Sequence, residues 1–243
     1  MLKTFTARFG RLRLEESGKG AFPRAKWADR PWRLSFRPVG LYDRFVLPFV
    51  IDKSCGLKRV TLQRSKVIGK AYGTVLEVGI GSGHNLPLYD AEKVTKILGV
   101  DPSVELGSKA KRRAEKLPFP VDLRPVGGET IAEPESVDTV VFTYTLCSVS
   151  SVPDVLAAAR SALKPDGLLL FCEHALAPDE SVQIWQRRLE PAWMALAGGC
   201  HLTRDVVALL GAAGFRIEEL EQAYMPRSPR FVGFHQIGTA RRA

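Results

Sequence analysis

Val75-Leu76-Glu77-Val78-Gly79-Ile80-Gly81-Ser82-Gly83 decides the reading of this chain. A short apolar run ends in three glycines at alternate positions, and a polar stretch able to form a helix follows. Glycine there permits a tight strand-to-helix turn and lets backbone N–H groups approach a ligand closely. Dinucleotide-binding turns share this feature, so two further details matter. The dinucleotide fingerprint needs Gly or Ala at position 84, where this chain has His84. Glu77, two residues before Gly79, would repel a pyrophosphate and suits a ligand carrying an ammonium group. Eighteen residues beyond Gly83, the run Ile97-Leu98-Gly99-Val100-Asp101 ends in a second carboxylate. An acid in that place can accept both hydroxyls of a ribose.

Outward from this turn, strand and helix alternate. Strands are predicted over residues 74–78, 96–101, 121–126, 137–144 and 167–174, each a short β-branched or apolar run bounded by turn residues. Helices are predicted over 85–92, 103–116 and 151–163, with Ser103 and Ser151 in N-cap positions and Pro165-Asp166-Gly167 closing the third. A fourth helix, 203–213, takes Thr203 as its cap and Gly214 as its stop. Two more strands, 216–224 and 231–238, come without a helix between them and predict an antiparallel hairpin. The expected fold is α/β and Rossmann-like: a seven-stranded, mainly parallel sheet with helices on both faces and an antiparallel C-terminal edge hairpin.

Composition agrees with one such domain over 41–243. The chain has 243 residues, 45% of them hydrophobic and 25% charged, which excludes wholesale disorder. No apolar run approaches the ~18 residues of a membrane-spanning helix. Cys55, Cys147, Cys172 and Cys200 form no C-x-x-C pair, which argues against a zinc ribbon or a disulfide scaffold and for a reducing compartment, the cytoplasm. No metal site is expected. Of the net charge of +9, residues 1–40 carry +7, with ten Lys/Arg against Glu15, Glu16 and Asp29. This arm, which also holds Phe5, Phe9, Trp27 and Trp32, reads either as a flexible segment or as an interfacial anchor making peripheral contact with an anionic membrane. An inserted stretch at 176–202 carries Ile184, Trp185, Leu189, Trp193, Met194 and Leu196, and Pro191 should break it into two helices. A lid over an apolar acceptor, a membrane-facing surface and plain core packing all remain open for it.

The set Glu77, Gly79, Gly81, Gly83 and Asp101 resembles the S-adenosylmethionine site of class I methyltransferases. The resemblance extends through most of 41–240. Gly127-Gly128-Glu129 falls where that family places its adenine contacts, although Gly127 stands where an acid is frequent, which leaves backbone or Glu129 to bond the adenine. Residues 138–144 match the fourth strand, and Leu163-Lys164-Pro165-Asp166-Gly167 matches the turn into the fifth. Within the class, Tyr42-Asp43-Arg44-Phe45, Gly81-Ser82-Gly83-His84-Asn85-Leu86-Pro87, Leu146-Cys147-Ser148-Val149 and Glu173-His174 are similar to the branch holding phospholipid N-methyltransferases, quinone-biosynthesis enzymes and methyltransferase-like alkyl-thiol methyltransferases. The resemblance implies S-adenosylmethionine as cofactor, held by Glu77, Gly79, Gly81, Gly83, Asn85, Asp101, Pro102, Gly128, Glu129 and Thr143. It also implies in-line methyl transfer to a small or lipidic acceptor through nitrogen, sulfur, oxygen or carbon.

Such a transfer asks the protein to align the nucleophile, exclude water and, where needed, remove a proton. The carboxyl ends of strands four and five should deliver the acceptor groups, which points to Tyr144, Glu173 and His174. His174 is the candidate base, against the alternative that it bonds Glu173 or backbone and only shapes the pocket. Cys147 reads as buried packing, Cys200-His201 as loop packing, and His84 and His235 as structural residues without partners. Thr143-Tyr144-Thr145-Leu146 lacks the Asn/Asp-Pro-Pro-aromatic pattern of base-amine methylating enzymes, and the body is nearly neutral, so nucleic acid is not the expected acceptor. Two other classes stay open here: a non-catalytic nucleotide-binding scaffold and a nicotinamide oxidoreductase.

Overall fold

The computed structural model describes residues 46–130 and 133–243. The basic arm and the Tyr42-Asp43-Arg44-Phe45 stretch lie outside the described residues. Seven strands form one sheet: β1 (Gly73–Val78), β2 (Val94–Val100), β3 (Val121–Arg124), β4 (Val137–Thr143), β5 (Leu163–His174), β6 (Phe215–Tyr224) and β7 (Phe234–Arg242). Their order is β3-β2-β1-β4-β5-β7-β6. The first five run parallel, and β7 pairs antiparallel with both β5 and β6. This is the Rossmann-like sheet with an antiparallel C-terminal hairpin that the alternation of segments predicts.

Side chains on successive strand residues point to opposite faces, and both faces are covered. Leu76, Val140, Phe142, Leu169 and Phe171 enter one core, closed by α4 (Val152–Ala162) and α6 (Val206–Ala212). Val75, Ile97, Val141, Leu170 and Cys172 enter the other, closed by α2 (Lys58–Ile68). Near-continuous apolar strands are what a sheet buried on both faces requires. Among the buried polar residues of the strands, Glu77, Thr143 and Glu173 lie at the carboxyl ends of β1, β4 and β5.

The helices depart from the sequence reading in places with local causes. α3 (Val104–Ala114) and α4 begin as expected, with the Ser103 and Ser151 side chains accepting from Leu106 N and Asp154 N. The helix predicted over 85–92 shrinks to a single 3₁₀ turn, Leu86–Leu88. Pro87 disfavours helical backbone at Leu86, and the side chains of Asn85 and Tyr89 are both drawn to Glu77. α6 starts at Val206, because the Asp205 carboxylate, rather than Thr203, accepts from Ala208 N. A one-turn helix, α7 (Arg230–Gly233), separates β6 from β7 where none was expected. The residues 164–167 are part of β5 and bulge out between Leu163, opposite Val137, and Leu168, opposite Thr139.

Pro191 does not divide the inserted stretch. α5 (Glu180–Leu196) runs through it as one helix. Pro191 and Arg187 are both exposed, so the carbonyl left without an N–H partner by the proline faces water. Gln186 is buried and fastens α5 to the sheet end, accepting from Ala177 N at 3.0 Å and donating to Ala175 O at 3.1 Å and Phe231 O at 3.2 Å. Ile184, Trp185 and Leu196 point outward. Among the described residues no helix is long and apolar enough to cross a membrane.

Phe142 is fully buried on β4 within the first core. Phe142→Ala should remove its packing and leave a cavity, costing about 3–5 kcal/mol. Urea unfolding of the two proteins measures this, and a cost below about 1 kcal/mol would mean that the site collapses freely.

Candidate active site

The carboxyl ends of β1, β2 and β4 open into a cleft of about 700 Å³. Its floor is built around Glu77, which is only 2% exposed. Asn85 Nδ2 donates to Glu77 Oε1 at 2.9 Å and to Thr143 Oγ1 at 2.9 Å, and the Tyr89 hydroxyl donates to Glu77 Oε2 at 2.7 Å. Burial pushes the Glu77 carboxyl up to about 7, with the Tyr89 and Asn85 hydrogen bonds and the Arg64 charge opposing that rise. Asn85 Oδ1 is buried without a partner among the described residues. An acid and an orphaned amide oxygen facing one cleft form a receptor for a group rich in N–H donors.

The glycine turn serves packing as much as access. Gly79 has φ +71°, and a Cβ there would lie 2.4 Å from Thr145 Oγ1. Gly83 has φ +77° and would meet Leu86 at 2.7 Å and the Ala110 Cα of α3 at 3.2 Å; it faces the helix and does not line the cleft. Gly81 N donates to Asp101 Oδ2 at 2.9 Å, and Ser103 N to Asp101 Oδ1 at 2.8 Å. The turn therefore fixes the second carboxylate, rather than offering all its amides outward. Each carboxylate oxygen can still accept once more. Pro102, Gly128 and Glu129 line the same side of the cleft.

Strands four and five deliver the expected acceptor residues differently. Tyr144 lines the cleft in a left-handed conformation with φ 55°. Glu173 does not line it. Its Oε1 accepts from Thr145 N at 2.8 Å and Leu146 N at 3.0 Å, and its Oε2 from Cys147 N at 3.3 Å. This buried carboxylate, pushed up to about 7 by burial against those three N–H groups, shapes the loop after β4. His174 also lies outside the cleft lining. Its Nδ1 pairs with Val232 O at 3.0 Å, and its ring packs 5.0 Å from Tyr144 and 4.8 Å from His235. Burial, together with the neighbouring His235, drives its pKa down to about 3. The imidazole thus stands behind Tyr144 with its Nδ1 paired to a backbone carbonyl.

Residues that sequence reasoning passed over form the roof and one wall. α1 (Leu47–Cys55) contributes Leu47, Pro48, Ile51, Asp52 and Cys55 to the cleft. Asp52 clasps this helix to the glycine turn: it accepts from Ser82 Oγ at 2.6 Å, from Lys109 Nζ at 2.7 Å, and pairs with His84 Nε2 at 3.0 Å. Burial alone would raise its pKa, but the Lys109 and Ser82 hydrogen bonds outweigh it and hold the carboxyl at about 2. His84, read as partnerless, is thus half of the clasp. Nothing local in the sequence ties Asp52 to residues 30 and 57 positions downstream. Next to α1, Arg64 of α2 also lines the cleft; it is 4% exposed and donates to Cys55 O at 3.3 Å. Of the inserted stretch at 176–202, only Gly198 reaches the cleft lining. Among the described residues no group of three His, Cys, Asp or Glu could hold a metal ion, and His201 pairs instead with Glu190 at 2.9 Å.

These residues fit S-adenosylmethionine: Glu77 and Asn85 for an ammonium group, Asp101 for hydroxyls, and a deep cleft between them. Comparison with known proteins agrees. The methyltransferase-domain family matches residues 52–220. The rat thiol S-methyltransferase TMT1B is 37% identical over 172 residues, 69% of this chain and 70% of its own length. Its human counterpart is 34% identical over 189 residues, 75% of this chain and 77% of its own. The crystal structure of Burkholderia thailandensis 1,6-didemethyltoxoflavin-N1-methyltransferase, with 1,6-didemethyltoxoflavin and S-adenosylhomocysteine bound, superposes with a TM-score of 0.58 at 17% identity, covering 84% of this chain and 87% of that one, which speaks to the fold alone. The scaffold and oxidoreductase alternatives are not favoured by these matches. The chain belongs to the class I S-adenosylmethionine-dependent methyltransferases.

Proposed function

We propose that this methyltransferase acts on a small thiol, which it converts to a methyl thioether. What carries the reading is its identity of 34–37% to thiol S-methyltransferases over more than two thirds of the chain. The cleft supports it. Leu47, Pro48 and Ile51 make an apolar wall near Tyr144, suited to an uncharged organic acceptor. Neither imidazole near that wall is free: His84 is held by Asp52 and His174 by Val232. A thiol, with an ordinary pKa near ~8.5, needs far less help to ionise than an alcohol does.

In this reading Glu77 and Asn85 hold the cofactor's ammonium group, Asp101 accepts from its ribose hydroxyls, and Gly128 and Glu129 flank its base. When bound, the cofactor supplies an activated methyl group, so the protein's own work is alignment and exclusion of water. α1 closes over the cleft and Asp52 keeps it closed. We further propose peripheral contact with anionic membranes. The +7 of residues 1–40 supports it, as do Phe49 and Val50, exposed on the outer side of α1.

A panel of thiols, amines and quinols with labelled cofactor tests the first reading. Small apolar thiols should be methylated at least tenfold faster than any amine or quinol; preference for an amine would overturn it. Cofactor binding should also be linked to protons. Folded Glu77 keeps its proton up to about 7, above its usual 4.5, so the stability this adds is complete below 4.5 and is lost as pH rises through about 7. A bound ammonium favours the ionised form, so binding releases a proton below neutrality and tightens as pH rises towards 7. Calorimetry of S-adenosylhomocysteine at about pH 6 in two buffers should show that release, and Glu77→Gln should abolish it. For the membrane, full-length protein should float with anionic but not neutral vesicles and detach at high salt, because each basic residue contributes about 1 kcal/mol at an anionic surface. Salt-independent flotation, or none, would set the contact aside.

A further inference from the structure

Cys147 and Cys200, far apart in sequence, are brought together by the segments that follow β4 and α5. The His201 amide, one peptide beyond Cys200, donates to the Cys147 carbonyl at 2.7 Å. That bond sets the two backbones side by side, as paired strands run, and brings their Cα atoms into the ~4.4–6.8 Å range that a disulfide spans. The side chains meet as well, thiol hydrogen-bonded to thiol. Both cysteines are free and buried. Gly198, two residues before Cys200, is exposed, so an oxidant little larger than water has a short way in.

The surroundings of Cys200 are those of a reactive thiol. The Trp193 indole N–H is buried with no nitrogen or oxygen partner, and its hydrogen bond goes to the Cys200 sulfur. The Arg204 guanidinium, tied to the Leu146 and Val149 carbonyls, acts on both thiols. The Cys147 hydrogen bond, helped by Trp193 and Arg204, holds the Cys200 thiol below its usual range against burial and the charge of Glu173. The same bond, with burial, pushes Cys147 up. Donors and a cation beside one thiol favour its thiolate, the form that attacks. One member of the pair is set to be oxidised first and the other to resolve it.

We propose that Cys147 and Cys200 close to a reversible disulfide when a peroxide reaches them, and that closure slows methyl transfer. The Cys200 thiolate attacks one peroxide oxygen, the O–O bond breaks, and a sulfenic acid forms; the other oxygen leaves as hydroxide and takes the thiol's proton as water. The Cys147 sulfur then attacks the sulfenic sulfur. An S–S bond forms, the S–O bond breaks, and that oxygen leaves with the Cys147 proton as a second water. Two thiols are oxidised and one peroxide is reduced.

Both partners sit in segments that shape the cleft. Cys147 N is held by Glu173 in the loop that Tyr144 begins, so that side is fixed. Cys200 follows Gly198 and Gly199, left-handed at φ +62° and +81°, and is the side that yields. Gly198 lines the cleft and packs on α1, where a Cβ would lie 3.2 Å from Ile51 Cδ1 and 3.5 Å from Leu47 Cδ2. Drawing the sulfurs from contact to the ~2.05 Å of a disulfide shifts Gly198 against both and displaces the apolar wall. A misplacement of about 1 Å can cost about 10²-fold in rate. Glu77, Asn85 and Asp101 lie outside the moving segment, so cofactor binding is spared.

In the test, the full chain is reduced with a phosphine and treated with hydrogen peroxide, then with catalase. Remaining thiols are alkylated in denaturant and the peptides mapped by mass spectrometry. The Cys147 and Cys200 peptides should appear joined, Cys55 and Cys172 alkylated, and the phosphine should restore both missing thiols. Initial rates on the fastest acceptor of the panel should fall about tenfold or more on oxidation and return on reduction. Affinity for S-adenosylhomocysteine should change by less than about threefold. Cys200→Ser should turn over like the reduced wild type and keep its rate in peroxide. The wild-type mapping stands even if that variant does not fold, and Cys147→Ala supplies a second chain unable to bridge. A bridge to Cys55 instead, oxidation of Cys200 without a bridge, or a bridge that leaves turnover unchanged would each overturn the inference. So would an equal loss of rate in Cys200→Ser. Preference for an amine would remove the thiol reading alone, since the bridge and the rate loss on that amine would still support this inference.

Discussion

A carboxylate desolvated at the carboxyl end of β1 must find donors or lose its charge, and the site is arranged around how Glu77 meets that demand. Asn85 and Tyr89 reach back to it from the segment after the glycine turn, so that segment wraps the strand end and does not continue as a helix. Asn85 then extends the network to Thr143 and ties the end of β1 to the end of β4. One buried acid thereby sets the shape of the floor and the sign of the group it can receive. The orphaned Asn85 oxygen beside it has the same meaning: the network is completed by something with N–H groups to donate.

Glu173, two strands away in the sheet order, shows the same physics put to another end. It too is buried at the carboxyl end of a parallel strand, but three backbone N–H groups of the next loop consume its oxygens. Its work is to hold residues 145–147 in place, and so to fix Tyr144, whose left-handed backbone begins that loop. Asp52 is the third carboxylate of this kind. Held ionised by Lys109 and Ser82, it turns α1 from a loose flanking helix into a roof. Methyl transfer from an activated donor needs alignment and dryness more than acid–base strength, and these acids spend themselves on rigidity.

The electrostatics of the cleft follow from this division. Glu77 and Asp101 line the cleft, and so does Arg64, the one buried arginine among the described residues, whose charge acts on Glu77 and whose guanidinium lies over the Tyr144 ring. The imidazoles behind Tyr144 are kept neutral by burial. They add bulk and shape without adding charge.

The fold was legible in the chain because its causes are local. Apolar strands bounded by turns, serine caps before α3 and α4, and glycines in left-handed positions are all written within a few residues of where they act. Glu77, Asp101 and Thr143 could be named for the cleft because each stands at a strand end, and strand ends in such a sheet converge; Asn85 was named only through the resemblance to class I methyltransferases. Where two local signals competed, the sequence misled: Pro191 reads as a break, yet α5 continues because the freed carbonyl faces water. Asp52 and Arg64 were not legible at all, and for His174 the sequence offered a backbone-bonded alternative without naming the backbone it meets. Asp52 meets Lys109, and Arg64 meets Tyr144, across 57 and 80 residues of chain, and no periodicity records such a meeting. His174 follows Glu173 on β5 at the predicted end of the predicted strand. Which of its neighbours it faces was decided by antiparallel β7, which brings His235 opposite it, and by α7, whose Val232 carbonyl takes its ring nitrogen. Spacing along a strand places a residue, but only the packing of distant segments sets its solvent, its partners and therefore its basicity.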